Sequence, residues 1–190
     1  MLTRNRRPFA ENDAFIEADG YVSFLAENYT RAHNSAGVGW KRIPNLGLIS
    51  SSMSAFSRAG GAIALGPEIP HLEYDFYAFT EGDVTVEVTL APTLDFKDEG
   101  GLKYALSIDD ETPATVYVNE NLSEDAWSAS VAKYAQRRSS RHAIPKPGAH
   151  TLKLRLIDPA LVFEKITIHS GAAPESYLGP PQSLRASNVH

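Results

Sequence analysis

Val84-Thr85-Val86-Glu87-Val88-Thr89-Leu90 alternates apolar and polar residues with a period of two. That period puts Val84, Val86, Val88 and Leu90 on one face of an extended chain, as in a strand half-buried against a core. The pattern recurs downstream: Leu102 to Ile108, Ala114 to Val118, His150 to Ile157 and Val162 to Ile168 read the same way, with Leu152, Leu154 and Leu156 sharing a face. Upstream, Ala14-Phe15-Ile16-Glu17-Ala18 and Tyr21-Val22-Ser23-Phe24-Leu25 flank Asp19-Gly20, a dipeptide that tolerates the positive φ of a tight turn, and so predict a first hairpin. Twelve prolines and thirteen glycines leave almost no window for a sustained helical period. The fold class is therefore all-β, an antiparallel β-sandwich with at most one or two short helices. One helix is expected where Ser123-Glu124-Asp125-Ala126-Trp127 starts like a capped segment and Trp127, Val131 and Tyr134 follow at helical spacing. A strand over Arg138 to Ile144 and a turn at Pro145-Lys146-Pro147-Gly148 come next, and coil follows Gly171.

With 190 residues, 43% of them hydrophobic and 22% charged, the chain is long and apolar enough for one self-standing core. We divide it into an N-terminal arm (1–13), a sandwich (14–171) and a C-terminal tail (172–190). The 18 basic and 23 acidic residues leave a net charge of −5, which speaks against nucleic acid, because counterion release needs a concentrated basic face. The absence of cysteine removes disulfides, thiolate metal sites and a cysteine nucleophile. No apolar run approaches the length of a membrane helix, so no membrane partner is expected, and the basic start Met1 to Pro8 lacks the apolar stretch of a signal peptide.

In an antiparallel meander, successive connections leave at opposite ends. If the strand 84–90 ends at the top, the loops 91–101 and 119–128 and Asp158-Pro159-Ala160 all lie at the top, while the turns at 109–113 and 145–148 lie at the bottom. Thr93, Asp95, Phe96, Asn119, Asn121, Trp127 and Asp158 would then gather on one rim.

Several stretches together resemble a known family. They are Gly20-Tyr21-Val22-Ser23-Phe24-Leu25-Ala26-Glu27-Asn28-Tyr29, Leu72-Glu73-Tyr74-Asp75-Phe76-Tyr77, Leu90-Ala91-Pro92-Thr93-Leu94-Asp95-Phe96, the segments 101–110 and 147–159, and Ser176-Tyr177-Leu178-Gly179-Pro180-Pro181. This series resembles the C-terminal domain of glycoside hydrolase family 115, the xylan α-glucuronidases, over roughly residues 18–182. The resemblance implies a non-catalytic jelly-roll sandwich from a secreted or periplasmic enzyme, since the family's catalytic residues lie outside the matched region. The expected partners are plant cell-wall polysaccharide (xylan or another uronic-acid-bearing polymer), the parent enzyme's catalytic domain and a second copy in a homodimer.

Sugars are held by flat aromatic faces and by planar polar groups that meet hydroxyls. On the rim, Trp127 and Phe96 offer rings, while Thr93, Asp95, Asn119, Asn121 and Asp158 offer polar groups. Trp40, in a glycine-loosened loop, offers a further ring. The cluster Arg137, Arg138, Arg141 and His142 has the charge to meet a uronate. The segment Leu25-Ala26-Glu27 is similar to the Glu-Ala-Glu of carbohydrate-binding module families 6 and 35, whose carboxylates hold a structural calcium, with Leu25 in place of the first carboxylate. Glu27 and Asp158 are the candidate calcium ligands. The alternative to a sugar platform is an architectural domain, in which Trp127, Phe96 and the segment 177–181 form an apolar docking patch. No HExxH, HxH or Gly-x-Ser-x-Gly pattern is present, and the paired carboxylates Glu73/Asp75 and Asp109/Asp110 are too close in sequence to face each other across a cleft.

Overall fold

A computed structural model describes residues 13–35, 37–57, 69–97, 100–171 and 176–188. The expected arm lies, apart from Asp13, outside the described residues. Among the described residues twelve strands make two sheets. They are β1 (Phe15–Ile16), β2 (Tyr21–Leu25), β3 (Arg31–His33), β4 (Val38–Ile43), β5 (Ser52–Ser57), β6 (His71–Ala78), β7 (Gly82–Leu90), β8 (Lys103–Ile108), β9 (Ala114–Tyr117), β10 (Gln136–Ile144), β11 (Gly148–Leu156) and β12 (Val162–His169). One sheet runs β1-β6-β11-β8-β9, with β3 sharing the β1 edge of β6; the other runs β10-β7-β12-β5-β4, with β2 sharing the β5 edge of β12. Among the described residues no helix is long and apolar enough to cross a membrane.

The period of two decides which residues are inside. Val86, Val88 and Leu90 of β7, Leu152, Leu154 and Leu156 of β11, and Leu72, Tyr74, Phe76 and Ala78 of β6 are all fully buried, and one cluster joins them across the two sheets. Removing this much apolar surface from water supplies the main driving force for folding.

The topology corrects the meander. From β6 onward the chain repeatedly changes sheet: β6, β8, β9 and β11 lie in one, β7, β10 and β12 in the other. Each crossing still reverses direction, so the end-to-end alternation survives: β10 and β12 both run antiparallel to β7, and β11 antiparallel to β8. The first hairpin is corrected too. Asp19 and Gly20 adopt the positive φ angles 53° and 77° of the expected turn, and Ala18 bridges Tyr21. Beyond that bridge the strands part, β1 joining β6 in parallel and β2 joining β12. Phe15 and Phe24 then meet edge to face with centroids 4.9 Å apart, which buries both rings across the core instead of placing them side by side.

The coil after Gly171 is docked, in the described part, across the outer face of the β12 sheet. Ser23 and Ser183 exchange N–H bonds with each other's oxygens (3.0 and 2.9 Å), and Gln182 Oε1 accepts from the Leu25 N–H and from Asn28 Nδ2 (3.1 and 2.7 Å). Beneath this strap Lys165 is buried, its ammonium donating to the carbonyls of Leu178 (2.9 Å) and Pro180. Burial, with Arg137 adding to it, pushes the Lys165 pKa down to about 8.

The depressed value has a defined pH signature. Between about pH 8 and the ordinary lysine range near 10.4 the unfolded chain holds a proton that the folded chain has released, so this group makes stability rise with pH in that window. Lys165→Met is expected to remove that rise between about pH 8 and 9.5, measured by urea unfolding, and to speed amide exchange at Ser183 as the strap loosens. An unchanged pH profile would contradict the burial of this charge.

Candidate functional site

The connections 91–97 with 100–102, 118–135 and 157–161 lie at one end of the sandwich, where buried polar groups lock them together. Asp158 is 1% exposed. One of its carboxylate oxygens accepts from the Lys97 ammonium and the other from the Lys103 N–H (2.8 Å), while its own N–H donates to the Lys103 carbonyl (2.9 Å). Asp95 Oδ1 accepts from the Lys97 N–H (3.1 Å) and Oδ2 from the Gly101 N–H (2.8 Å), closing the loop on itself. Asn119 ties the second connection to the first: its Oδ1 accepts from the Leu102 N–H (3.1 Å) and its Nδ2 donates to the Thr93 carbonyl (2.8 Å). Gly101 sits at φ 107°, and a Cβ there would stand 3.2 Å from the Asn119 nitrogen, so the close approach of the two loops requires glycine.

Thr93, Asp95, Asn119 and Asp158 are therefore brought together as expected, but their polar groups face backbone and Lys97 rather than a ligand. Thr93 donates its hydroxyl to the Ala91 carbonyl (3.2 Å). Asn121 is exposed at φ 53°, a backbone region that asparagine tolerates.

The rings at this end are what remains for solvent. Phe96 is 57% exposed, and Leu94 beside it is exposed as well. The expected helix is present as α1 (Glu124–Ala132), capped by Ser123 Oγ, which accepts from the Ala126 N–H (3.2 Å). None of its residues is fully buried, and Trp127 is half-buried on it. Tyr134 departs from the expected helical face. It follows the Lys133 cap at φ 52°, with its N–H bonded to the Val131 carbonyl and the Ala135 N–H to the Ser130 carbonyl (both 3.1 Å). This is a Schellman ending whose left-handed position glycine usually fills, and here it carries a tyrosine that is 74% exposed. Tyr177 of the tail reaches the same helix end and donates to the Lys133 carbonyl (2.8 Å). Reading Tyr134 as a continuation of the helix hid it from sequence; the Lys-Tyr-Ala exit contains no glycine to mark the turn.

Three expectations fail. Trp40 lies in strand β4 and not in a loop; its ring packs on Phe163 with centroids 6.0 Å apart, because Gly39 and Val38 pair with β5 and turn the indole toward the core. Of the basic cluster, Arg137 donates to the Ser176 and Tyr177 carbonyls, Arg138 to those of Val118 and Glu120, and His142 is buried against Glu111, which leaves Arg141 exposed and the cluster dispersed. The calcium pair does not form either. Glu27 accepts from Arg42 and from the Ser51 N–H (3.2 Å), whereas Asp158 is held by Lys97, so side-chain cations already neutralise both. Burial pushes the Glu27 carboxyl up, but bonds from Ser50, Arg42 and Ser51 hold it below its usual range. Calcium needs six to eight oxygen ligands, and among the described residues Glu27 and Asp158 join no cluster of three ligating side chains.

A family model for the glycosyl hydrolase family 115 C-terminal domain matches residues 14–182. The chain belongs to that family. A sequence search of curated proteins gives no match. Among solved structures, the family 115 chain is similar to a GH115 4-O-methyl-α-glucuronidase with specificity for decorated arabinogalactans (TM-score 0.62, 14% identity, covering 82% of this chain and 18% of that enzyme). It is also similar to a GH26-CBM35 β-(1,4)-mannanase from Podospora anserina (TM-score 0.53, 12% identity, covering 84% of this chain and 29% of that one). A family 35 carbohydrate-binding module from Clostridium thermocellum is matched over nearly its whole length (TM-score 0.52, 14% identity, 78% of this chain and 98% of the module). At these identities the likeness shows the fold, a carbohydrate-binding-module-like jelly-roll sandwich. The chain spans less than a fifth of the glucuronidase's length.

The rim staple is open to a direct test. Asp158→Ala leaves the Lys97 charge and the Lys103 N–H without their acceptor and is expected to lower stability by about 3–5 kcal/mol in urea unfolding, as removal of one partner of a buried ion pair does. A loss below about 1 kcal/mol would show that the carboxylate is not what holds the loops.

Proposed function

We propose that this domain is a non-catalytic carbohydrate-binding module of an α-glucuronidase-type hydrolase, secreted or periplasmic with its parent enzyme. Its upper rim meets xylan, glucuronoxylan or another uronic-acid-bearing plant polysaccharide. The observation that carries the reading is Tyr134: a large ring held 74% exposed in a strained backbone conformation, at the same end as Phe96 and Trp127. Rings anchored on stapled loops present stacking faces with little ordering left to do on binding. The family membership and the likeness to carbohydrate-binding modules support the same reading. The carboxylate pairs do not offer glycosidase chemistry. Glu73 and Asp75 are both bound to Arg31, and Asp109 accepts from the Thr151 N–H and lies 2.7 Å from the His150 ring nitrogen.

A second reading, docking onto the catalytic domain or a second copy, is favoured by a different surface. Ile49, Tyr177 and Leu178 are exposed around an apolar groove that Leu25 and Pro181 also line.

Affinity electrophoresis of the chain in gels containing glucuronoxylan, unsubstituted xylan, pectic uronan or arabinogalactan separates the two. Retardation by a uronic-acid-bearing polymer, lost in Trp127→Ala and Phe96→Ala with the fold intact, is the expected result; no retardation by any polymer leaves the docking reading. Tyr134→Gly is expected to raise stability by about 1 kcal/mol while weakening retardation, since it relieves the left-handed backbone and removes the ring. Unchanged binding in that variant would remove Tyr134 from the platform.

A further inference from the structure

On the outer face of the β6 sheet, at the upper end of the sandwich but on the far edge from β8 and β9, two short stretches bring two imidazoles and a carboxylate together. β3 pairs with β6 in an antiparallel register that sets His33 opposite His71 and Arg31 opposite Glu73. The two rings stack with centroids 4.2 Å apart and planes within 14° of parallel. Both Nε2 atoms turn to the Glu73 carboxylate: His33 Nε2 lies 3.5 Å from Oε2 and His71 Nε2 lies 3.4 Å from Oε1.

The hydrogen bonding at His71 gives this geometry its meaning. Its Nδ1 stands 2.9 Å from the Ile69 carbonyl, which can only accept, so Nδ1 carries a proton and Nε2 is the nitrogen turned to Glu73. An imidazole whose far nitrogen donates to a backbone carbonyl is also the arrangement that orients histidine toward a metal ion. The three ligand atoms lie within 4.8 Å of one another, so modest side-chain rotation brings them to zinc-ligand distances of about 2.0–2.2 Å.

Two cations neighbour Glu73, and one of its carboxylate oxygens stays turned to His71. Arg31 donates to both Asp75 oxygens (2.6 Å each) and through Nε to Glu73 Oε2 (2.5 Å), so it fixes the carboxylate and leaves Oε1 toward His71. Arg155, opposite His71 on β11, donates to Ser107 Oγ at 2.6 Å and lies within electrostatic reach of Glu73. Histidines elsewhere are engaged differently: His142 by Glu111 and Ser140, His150 by Asp109 and the Lys146 carbonyl.

We propose that His33, His71 and Glu73 form a binding site for a divalent transition-metal ion, with zinc favoured by the imidazole-carboxylate ligand set. His33 is half-exposed, which leaves the remaining coordination position to water or to a ligand atom from outside. The ion ties the three-residue strand β3 to β6 by a bond stronger than its backbone ladder.

Calorimetric zinc titration of the chelator-treated, tag-free chain tests this, with cobalt absorbance as a geometric reporter. One ion per chain is expected, with a rise in Tm on zinc addition. His33→Ala and Glu73→Gln are each expected to weaken binding by about tenfold or more and to abolish the Tm rise. His169→Ala, outside the cluster, is expected to leave both unchanged. His33 is exposed, so its loss does not threaten the fold. Failure of the wild type to take up zinc or cobalt, or uptake that both cluster variants leave intact, would overturn the proposal.

Discussion

Both oxygens of the Asp158 carboxylate are committed, one to the Lys97 ammonium and one to the Lys103 N–H, at a position closed to water. A charge in that position is tolerated only because it is paired and fully hydrogen-bonded, and removing any partner would leave an isolated buried ion. The pairing pins the 157–161 connection to the start of β8, and Asn119 and Asp95 extend the same lock to the loops on either side. The upper end of the sandwich is thus a set of loops held by polar groups pointing inward, and the rings they display are left pointing outward.

The lower end repeats the device with different chemistry. His150, buried on β11, lies between Asp109 of the β8–β9 turn (2.7 Å) and the Lys146 carbonyl of the β10–β11 turn (2.8 Å). The outer face of the β12 sheet is closed by the tail over Lys165. Buried polar groups therefore serve to position loops and strap at three places around one apolar core. The exposed aromatic residues Phe96 and Tyr134 stand where no such group needs them, and this separation of roles is what supports reading them as ligand-facing.

The strands that carry the period of two were legible in sequence because inward and outward neighbours differ chemically at every step: Val84 to Leu90 and His150 to Ile157 are examples. The gathering of Thr93, Asp95, Asn119 and Asp158 at one end was legible as well, because reversal of direction at each crossing does not depend on which sheet a strand joins. Pairing partners were not legible. Nothing in Phe15-Ile16 tells a parallel edge of β6 from a hairpin with β2; packing of Phe15 on Phe24 across the core decides it. Trp40 misled because flanking glycines suggest a loop, although an edge strand accepts them. Tyr134 and the His33–His71 pair escaped for a shared reason: a left-handed backbone at a non-glycine residue and a contact between residues far apart in the chain exist only in three dimensions.

The central claim is that sugar meets the stapled upper rim and no other surface. Mapping amide and aromatic chemical shifts during titration with aldouronic xylo-oligosaccharides tests it most directly. The account predicts perturbations clustered at residues 94–97 and in α1 through Tyr134, with β3, β6 and the lower turns unmoved. Perturbations centred on the lower end or on the tail-covered sheet, with the rim silent, would contradict it.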